Sequence, residues 1–261
     1  MKGVILAAGD GTRLEPLTLS RPKPLITVGG RPLIDYTIDA FVRAGIKELV
    51  IVVGYKARMI QRYVGDGSRY GAEIEYAFNP DYHLGNALSV YAAREAVRDK
   101  PFILAMSDHM ISPHILTTLM TRLNGEDMLC IDRLAYAPPQ TNDATKVWVD
   151  EEGFIARIGK GIEPWNAIDT GVFLFTSCIF SAISHLLHAD GRPTYRKENE
   201  WKQTSCLSDE GYGISDALTW LIRKGHKVRA CDVSGAFWMD VDTLDDLHYV
   251  EAILREQGVS P

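Results

Sequence analysis

Two glycines, an arginine and a lysine near the amino terminus are the residues best spaced to do chemistry. The stretch G-V-I-L-A-A-G-D-G-T-R-L-E-P-L-T-L-S-R-P-K-P-L runs from Gly3 to Leu25 and opens as a short apolar strand that breaks at Gly9 and Gly11. Glycines this close let the backbone turn sharply and point N–H groups at an anion, with no Cβ to hold the anion off. Arg13 follows as a planar cation suited to bidentate contact with phosphate oxygens, and Lys23 adds a more mobile point charge. The combination suits a polyphosphate. It is not the G-x-x-x-x-G-K-[ST] loop of an ATPase, and no third glycine completes G-x-G-x-x-G for a dinucleotide. A plain turn after a strand is the alternative reading of the glycines alone.

A second group of chemistry-bearing residues is Ser107, Asp108 and His109, just past the apolar run Phe102–Met106. Mg²⁺ is a hard ion that prefers carboxylate and phosphate oxygens and commonly takes only one or two protein carboxylates. Asp108 could be one of these, or it could cap the helix expected from about Pro113. Asn79-Pro-Asp-Tyr-His-Leu-Gly85-Asn86-Ala87-Leu-Ser89 is the third group. Asn86 and Ser89 could cap a helix, or their amide and hydroxyl groups could read the edge of a base. In the second half, Lys160 stands between Gly159 and Gly161, which leaves room for a ligand. Asp169, in D-T-G-V-F, could accept hydrogen bonds from polyol hydroxyls or act as a cap or buried partner, and Lys146 is a weaker candidate for the same pocket. Phe237-Trp-Met-Asp240-Val-Asp242-Thr forms a second carboxylate cluster, whereas Asp245 and Asp246 suit the dipole at a helix start.

The elements that must position these residues alternate in the first half. Pro32 suits the first turn of a helix with Leu33, Tyr36, Ile38, Phe41 and Val42 on its apolar face, ending at Gly45. The all-aliphatic run Leu49–Val53 reads as a strand buried on both faces. A helix over Ala57–Val64, a strand over Glu73–Phe78, a helix from about Ala87 to Val97 and a strand over Phe102–Met106 continue the alternation. This βαβα order predicts an α/β, Rossmann-like, doubly wound mixed sheet with ligands at the carboxyl ends of the strands. The second half reads as a strand at Met128–Asp132, an irregular connection around Pro138-Pro139 and Asn142-Asp143, and an edge β-hairpin of Val147–Val149 with Phe154–Ile158. A strand through Gly171–Phe175, a helix from near Thr176 or Ser177, a helix Ser215–Lys224, a strand Val228–Asp232 and a helix Leu244–Glu256 complete it. The polar stretch from about Asp190 to Gly213 is long enough to be a lid or a subunit contact.

At 261 residues with net charge −6, the chain has a sizeable core and no electrostatic case for nucleic acid. The four cysteines, Cys130, Cys178, Cys206 and Cys231, lack C-x-x-C spacing, which excludes that zinc or redox motif. Thr170–Ile183 holds no charged side chain, but its serines and threonines break it short of a membrane span. The first strand begins at once, so no signal peptide is expected and the cytoplasm is the expected compartment. One domain is expected over 1–261, with a nucleotide-binding half at about 1–125 and an acceptor-binding half at about 126–261.

Taken together, L-A-A-G-D-G-T-R-L-x-P-L-T and R-P-K-P-L-I-T-V-G-G-R-P-L-I resemble the signature of nucleotidyltransferases that activate sugar phosphates and related alcohol phosphates. N-P-x-Y-x-x-G-N-x-x-S is similar to the CTP-using branch, which includes choline-phosphate and inositol-1-phosphate cytidylyltransferases, and M-S-D-H brings it nearest to the inositol enzymes. Ala87 departs from that pattern, where Gly follows G-N, and Asp242 stands where many sugar enzymes have Gly. The resemblance covers nearly the whole chain in four ordered blocks. It implies that Leu6, Ala7, Ala8, Gly9, Asp10, Gly11, Thr12 and Arg13 wrap the triphosphate, with Asn79, Gly85, Asn86, Ser89 and Ser107 completing the nucleotide site. It assigns Arg13, Lys23 and Asp108 to catalysis, Asp108 and Asp240 to Mg²⁺, and Lys146, Lys160 and Asp169 to the acceptor. The implied reaction is in-line attack of an alcohol 1-phosphate on the α-phosphorus of CTP, with inositol 1-phosphate as acceptor and CDP-inositol and pyrophosphate as products. Sugar 1-phosphates with UTP, dTTP or GTP are the rival substrates. Choline phosphate is another, kept open by Trp148, Trp165, Trp201 and Tyr195. A non-catalytic binding relative is the reading from a different class, against which Arg13, Lys23, Asp108 and Asp240 are all present. A homodimer and a separate membrane synthase that uses CDP-inositol are the partners the resemblance leaves open.

Overall fold

The computed structural model describes residues 1–98, 100–135, 144–189 and 212–256. Its centre is β1 (Lys2–Ala7), whose Val4, Ile5, Leu6 and Ala7 are buried because strands flank it on both sides and cores cover both faces. Val4 and Leu6 point into one core with Val50, Val52 and Leu104. Ile5 and Ala7 point into the other with Ile51, Val53 and Ile103. That period of two is what a strand imposes. A small ribbon, β2 (Thr27–Val28) with β3 (Arg31–Pro32), precedes the helix Leu33–Arg43.

Next come β4 (Glu48–Val53), β5 (Glu73–Phe78) and β6 (Phe102–Met106), which with β1 form a run of four parallel strands. The ribbon strand β7 (His109–Ile111) is followed by β8 (Asp127–Asp132), β9 (Lys146–Val149), β10 (Ile155–Gly159), β11 (Ala167–Phe175), β12 (Val228–Asp232) and β13 (Trp238–Asp240). The main path runs β10-β9-β11-β6-β1-β4-β5, with β8 paired off β11 and β12 paired in turn on β8. The chain moves outward from β1 through β4 to β5, then returns to place β6 on the other side of β1. The sheet is therefore doubly wound about a switch point between β1 and β6, and β11 joins antiparallel to make it mixed. Both expectations hold, as does the edge hairpin of β9 and β10.

Two expectations change. The helix expected over 87–97 is two pieces, Asn86–Ala92 and Arg94–Val97, because Ala93 sits fully buried and its N–H bonds to Val90 O in a tightened turn. The strand expected through Gly171–Phe175 starts earlier, at Ala167, so Asp169 lies inside β11, where the pairing with β8 shifts register between Asp169 and Phe173. The alternative of a cap is also decided: the helix Pro113–Thr121 is capped by Ser112, whose Oγ accepts the His114 N–H, and not by Asp108. The connection near 138–143 and residues 190–211 of the candidate lid, Tyr195 and Trp201 among them, lie outside the described residues. Among the described residues no helix is long and apolar enough to cross a membrane.

A third, smaller core positions the site. β7 pairs antiparallel with β13, and the helix Leu244–Glu256 packs beneath them through Leu247, Val250 and Leu254 against Met110, Met239, Val241 and Val28. Each such burial is worth about 1.5–3 kcal/mol, enough to hold a two-stranded ribbon that would not stand alone.

Candidate active site

The site is built where β1 and β6 end. Ser107 N–H donates to Leu6 O at 3.0 Å, and Tyr55 N–H donates to Ala8 O at 2.8 Å, so the loop after β1 is tied to both neighbouring strands. Leu6, Ala7 and Ala8 are buried scaffold, whereas Gly9, Thr12 and Arg13 are exposed and Asp10 is half-buried. Gly11 adopts φ +68°, and a Cβ there would fall 2.7 Å from Lys23 Cβ. Its glycine identity thus serves the seating of Lys23 as well as the turn.

Lys23 lies in a short turn after Pro22, with its side chain largely buried. Its Nζ donates to Asp108 Oδ2 at 2.5 Å and also to Asp242 Oδ1. Arg13 Nη2 reaches the other oxygen of Asp242 at 2.8 Å. Burial acts to lower the Lys23 pKa, but the two carboxylates outweigh it and raise the ammonium above its ordinary value. Burial pushes Asp108 up while Lys23 and His109 pull it further down, and the result lies well below the usual carboxylate range.

Asp108 and Asp240 are neighbours by strand pairing. Asp240 stands opposite His109 in the ribbon, and Val241 N–H donates to Asp108 O at 3.1 Å. Burial, with Asp242 and Asp108 nearby, raises the Asp240 pKa to about 6 against the pull of His109 and Lys23. His109 Nδ1 lies 3.2 Å from Asp108 Oδ1 without hydrogen-bond alignment, and neither atom has another hydrogen-bond partner. Burial disfavours the charged ring, yet Asp108, Asp240 and Asp242 raise His109 to about 9. Gly171, with φ +74°, seats that ring, since a Cβ there would lie 2.9 Å from its Cε1. Thr37 Oγ1 donates to His109 O at 3.1 Å and fixes the turn from the helix side.

Asp169 reaches this cluster through the register shift in β11. Its Oδ1 accepts the Gly171 N–H at 2.7 Å. Burial raises its pKa to about 6, opposed by that hydrogen bond and His109 and assisted by Asp240. Lys146 pairs with Ile168, the neighbour of Asp169 in β11, and its Nζ donates to Lys160 O at 3.3 Å across the hairpin.

The Asn79–Ser89 group is largely engaged with its own frame. Asn79 Nδ2 donates to Ser89 Oγ at 3.0 Å, both residues being buried, and Asn79 Oδ1 accepts the Asp81 N–H at 2.9 Å. Asn86 Oδ1 accepts the Ile214 N–H at 2.8 Å. Gly85 lets the Tyr212 backbone approach, since a Cβ would fall 2.2 Å from Tyr212 O. No side chain caps the helix Asn86–Ala92, so the capping alternative for Asn86 and Ser89 is not what the fold uses. Ala87, fully buried in the core, fills space that Gly would leave. Of the aromatic residues weighed for choline, Trp148 has the Arg157 guanidinium over its ring and Trp165 packs against the core.

The sequence placed His109 and Asp242 in chemistry-bearing groups but gave neither a role, and it did not mark Gly171. Each had a local signal: His109 adjoins Asp108, Asp242 repeats Asp240 at the strand period, and Gly171 closes D-T-G.

Mg²⁺ fits the residues present. Asp108 Oδ1 is a buried carboxylate oxygen with no hydrogen-bond partner, and Asp240 stands one strand away. Among the described residues no group of three or more His, Cys, Asp or Glu side chains is placed to hold a metal ion by itself.

The doubly wound mixed sheet brings a buried Lys23 and an exposed Arg13 onto one carboxylate, Asp242, at the switch point, where sheets of this kind bind their ligands. The family model for nucleotidyl transferases matches residues 2–257, and the chain belongs to that family. It is 31% identical to the low-salt glycan biosynthesis nucleotidyltransferase Agl11 of Haloferax volcanii over 98% of this chain and 66% of that one. It is 32% identical to the bifunctional IPC transferase and DIPP synthase of Rubrobacter xylanophilus over 96% of this chain, which spans 51% of that protein's length. The solved inositol-1-phosphate CTP transferase of T. maritima superposes with a TM-score of 0.76 at 25% identity, covering 98% of this chain and 96% of that one.

Proposed function

We propose that the protein transfers CMP from CTP to inositol 1-phosphate, releasing pyrophosphate and forming CDP-inositol. The observation that carries the reaction type is the convergence of Arg13, Lys23 and Asp108 at the switch point, within reach of one another through Asp242. The acceptor phosphate is already an anion, so the chemistry asks for positioning and charge neutralisation rather than a general base. Lys23 offsets charge near the α-phosphate, and Arg13 stabilises the leaving pyrophosphate. Gly9, Asp10, Gly11 and Thr12 wrap the triphosphate, while Asn79, Gly85, Asn86 and Ser89 shape the base pocket and Ser107 borders it. Lys146 and Lys160 approach the acceptor phosphate, and Asp169 accepts hydrogen bonds from the polyol. Mg²⁺, held by Asp108 and Asp240, would supply Lewis-acid neutralisation of the nucleotide phosphates.

The choice of CTP and inositol 1-phosphate is supported by the likeness to the T. maritima transferase and to the Rubrobacter bifunctional protein. A second reading, a sugar-1-phosphate nucleotidyltransferase, is favoured by 29% identity to the glucose-1-phosphate thymidylyltransferase of Streptomyces griseus over 98% of this chain and 66% of that one. Phosphorus NMR of a reaction with CTP, inositol 1-phosphate and Mg²⁺ tests the proposal. Paired doublets of an unsymmetrical diphosphate diester, appearing with pyrophosphate, support it. An unchanged CTP spectrum refutes it.

A further inference from the structure

The carboxylate of Asp242 binds both cations that the proposed function assigns to the nucleotide. Its Oδ2 holds Arg13 Nη2 at 2.8 Å, and its Oδ1 accepts from Lys23 Nζ. Two oxygens on one anionic centre, facing one guanidinium and one ammonium, have the shape and charge of a phosphate edge. The position is held from behind. Asp246 Oδ2 accepts the backbone N–H of Asp242 at 3.1 Å and of Thr243 at 2.7 Å, and the helix that follows is anchored by Leu247, Val250 and Leu254.

Asp242 is also one of several acids there. Asp108 shares Lys23 with it, Asp240 lies two residues before it, and Asp169 feels the charge of both His109 and Asp240. A bare triphosphate arriving here meets carboxylates on one side and cations already engaged on the other. A triphosphate that brings a divalent cation meets the same carboxylates with charge to offer them, and its phosphate oxygens can take Arg13 and Lys23 in exchange.

We propose that Asp242 is a specificity-determining residue that occupies Arg13 and Lys23 until nucleotide binds and so makes the site select the metal-complexed triphosphate over the free one. This rests on the reading that Arg13 and Lys23 take the triphosphate. It gives Asp242 a task that the Gly of many sugar enzymes cannot perform.

The test is calorimetric binding of a non-hydrolysable CTP analogue, bridged by methylene between its α- and β-phosphorus, in EDTA and in excess Mg²⁺. The Asp242→Asn protein binds the metal-free analogue about fivefold or more tighter than wild type, the lower end of coupling between linked binding events, and its discrimination between the two forms shrinks. The gain disappears in the Arg13→Ala/Asp242→Asn double variant, a dependence that a merely structural role for Asp242 would not produce. Asp242→Ser serves in place of Asp242→Asn if the latter does not fold, as judged by circular dichroism. Metal-free affinity that is unchanged or weaker in either folded variant overturns the proposal, and a fall confined to the Mg²⁺ complex makes Asp242 a metal ligand instead. If Arg13→Ala alone leaves both affinities at the wild-type value, the assignment of Arg13 to the phosphates fails, and the proposal with it.

Discussion

Lys23 Nζ lies 2.5 Å from Asp108 Oδ2, although the two residues are 85 positions apart in sequence. Lys23 is held by the turn after Pro22 and Asp108 by the end of β6, so the contact exists only because β1 and β6 are adjacent strands. The same lysine joins the turn after Pro22 to the carboxylates of both Asp108 and Asp242.

Replacing Lys23 by Met should leave Asp108 and Asp242 largely buried without their shared cation. Removing one member of such a pair commonly costs about 3–5 kcal/mol, and urea unfolding should show a loss of that order. The double variant Lys23→Met/Asp108→Asn should recover part of it. Turnover should fall by about 10² or more in both, because the charge that faces the reacting phosphate is gone.

Gly171→Ala should disturb the site without touching a substrate. The new Cβ meets the His109 ring at 2.9 Å in a left-handed conformation. An L-residue there costs roughly 1–2 kcal/mol before the clash is counted. Thermal unfolding should shift down by several degrees, and the His109 ring resonances should move in the NMR spectrum. Unmoved His109 resonances would show that Gly171 does not seat the ring.

Gly85→Ala separates a backbone role from a nucleotide role. Its Cβ would meet Tyr212 O at 2.2 Å, a contact with backbone that cannot rotate away. Overpacking of this kind costs about 1–3 kcal/mol, occasionally more. Stability should fall even without nucleotide. A stable protein with weakened CTP binding alone would place the role of Gly85 in the ligand.

Asp169 should leave a signature in pH. Its folded pKa of about 6 lies above the ordinary 3.8, so the folded protein holds that proton more tightly than the unfolded chain. Stability therefore falls as pH rises from about 4 to 6, and the cost, up to about 3 kcal/mol, is complete above that window. Asp169→Asn keeps the acceptor oxygen for Gly171 N–H but not the titration. Measured in EDTA, its stability relative to wild type should rise between pH 4 and pH 6.5. A flat difference would mean that Asp169 titrates normally.

Much of this arrangement was legible from local pattern. The strand at 49–53, the helix at 57–64 and the strand at 73–78 follow from aliphatic runs and amphipathic spacing, and the structure places them within a residue of expectation. Arg13, Lys23 and Asp108 converge because switch-point topology follows from element order. What stayed hidden depends on register. Nothing in D-V-D-T shows that Asp242 would turn toward the amino-terminal loop, because that contact needs the ribbon of β7 and β13 and the helix beneath it. Nor does D-T-G-V-F reveal the register shift that carries Asp169 and Gly171 to His109. The hydrogen bond between Asn79 and Ser89 was equally invisible, since it joins a strand end to the helix that follows.

The central claim is the substrate pair. Its most direct test is the rate of pyrophosphate release with Mg²⁺ over a grid of CTP, UTP, dTTP, GTP and ATP against inositol 1-phosphate, glucose 1-phosphate, mannose 1-phosphate and phosphocholine. Turnover concentrated on CTP with inositol 1-phosphate, and abolished in Asp108→Ala, is the predicted result. Turnover on a sugar 1-phosphate with UTP or dTTP and none with inositol 1-phosphate would contradict it.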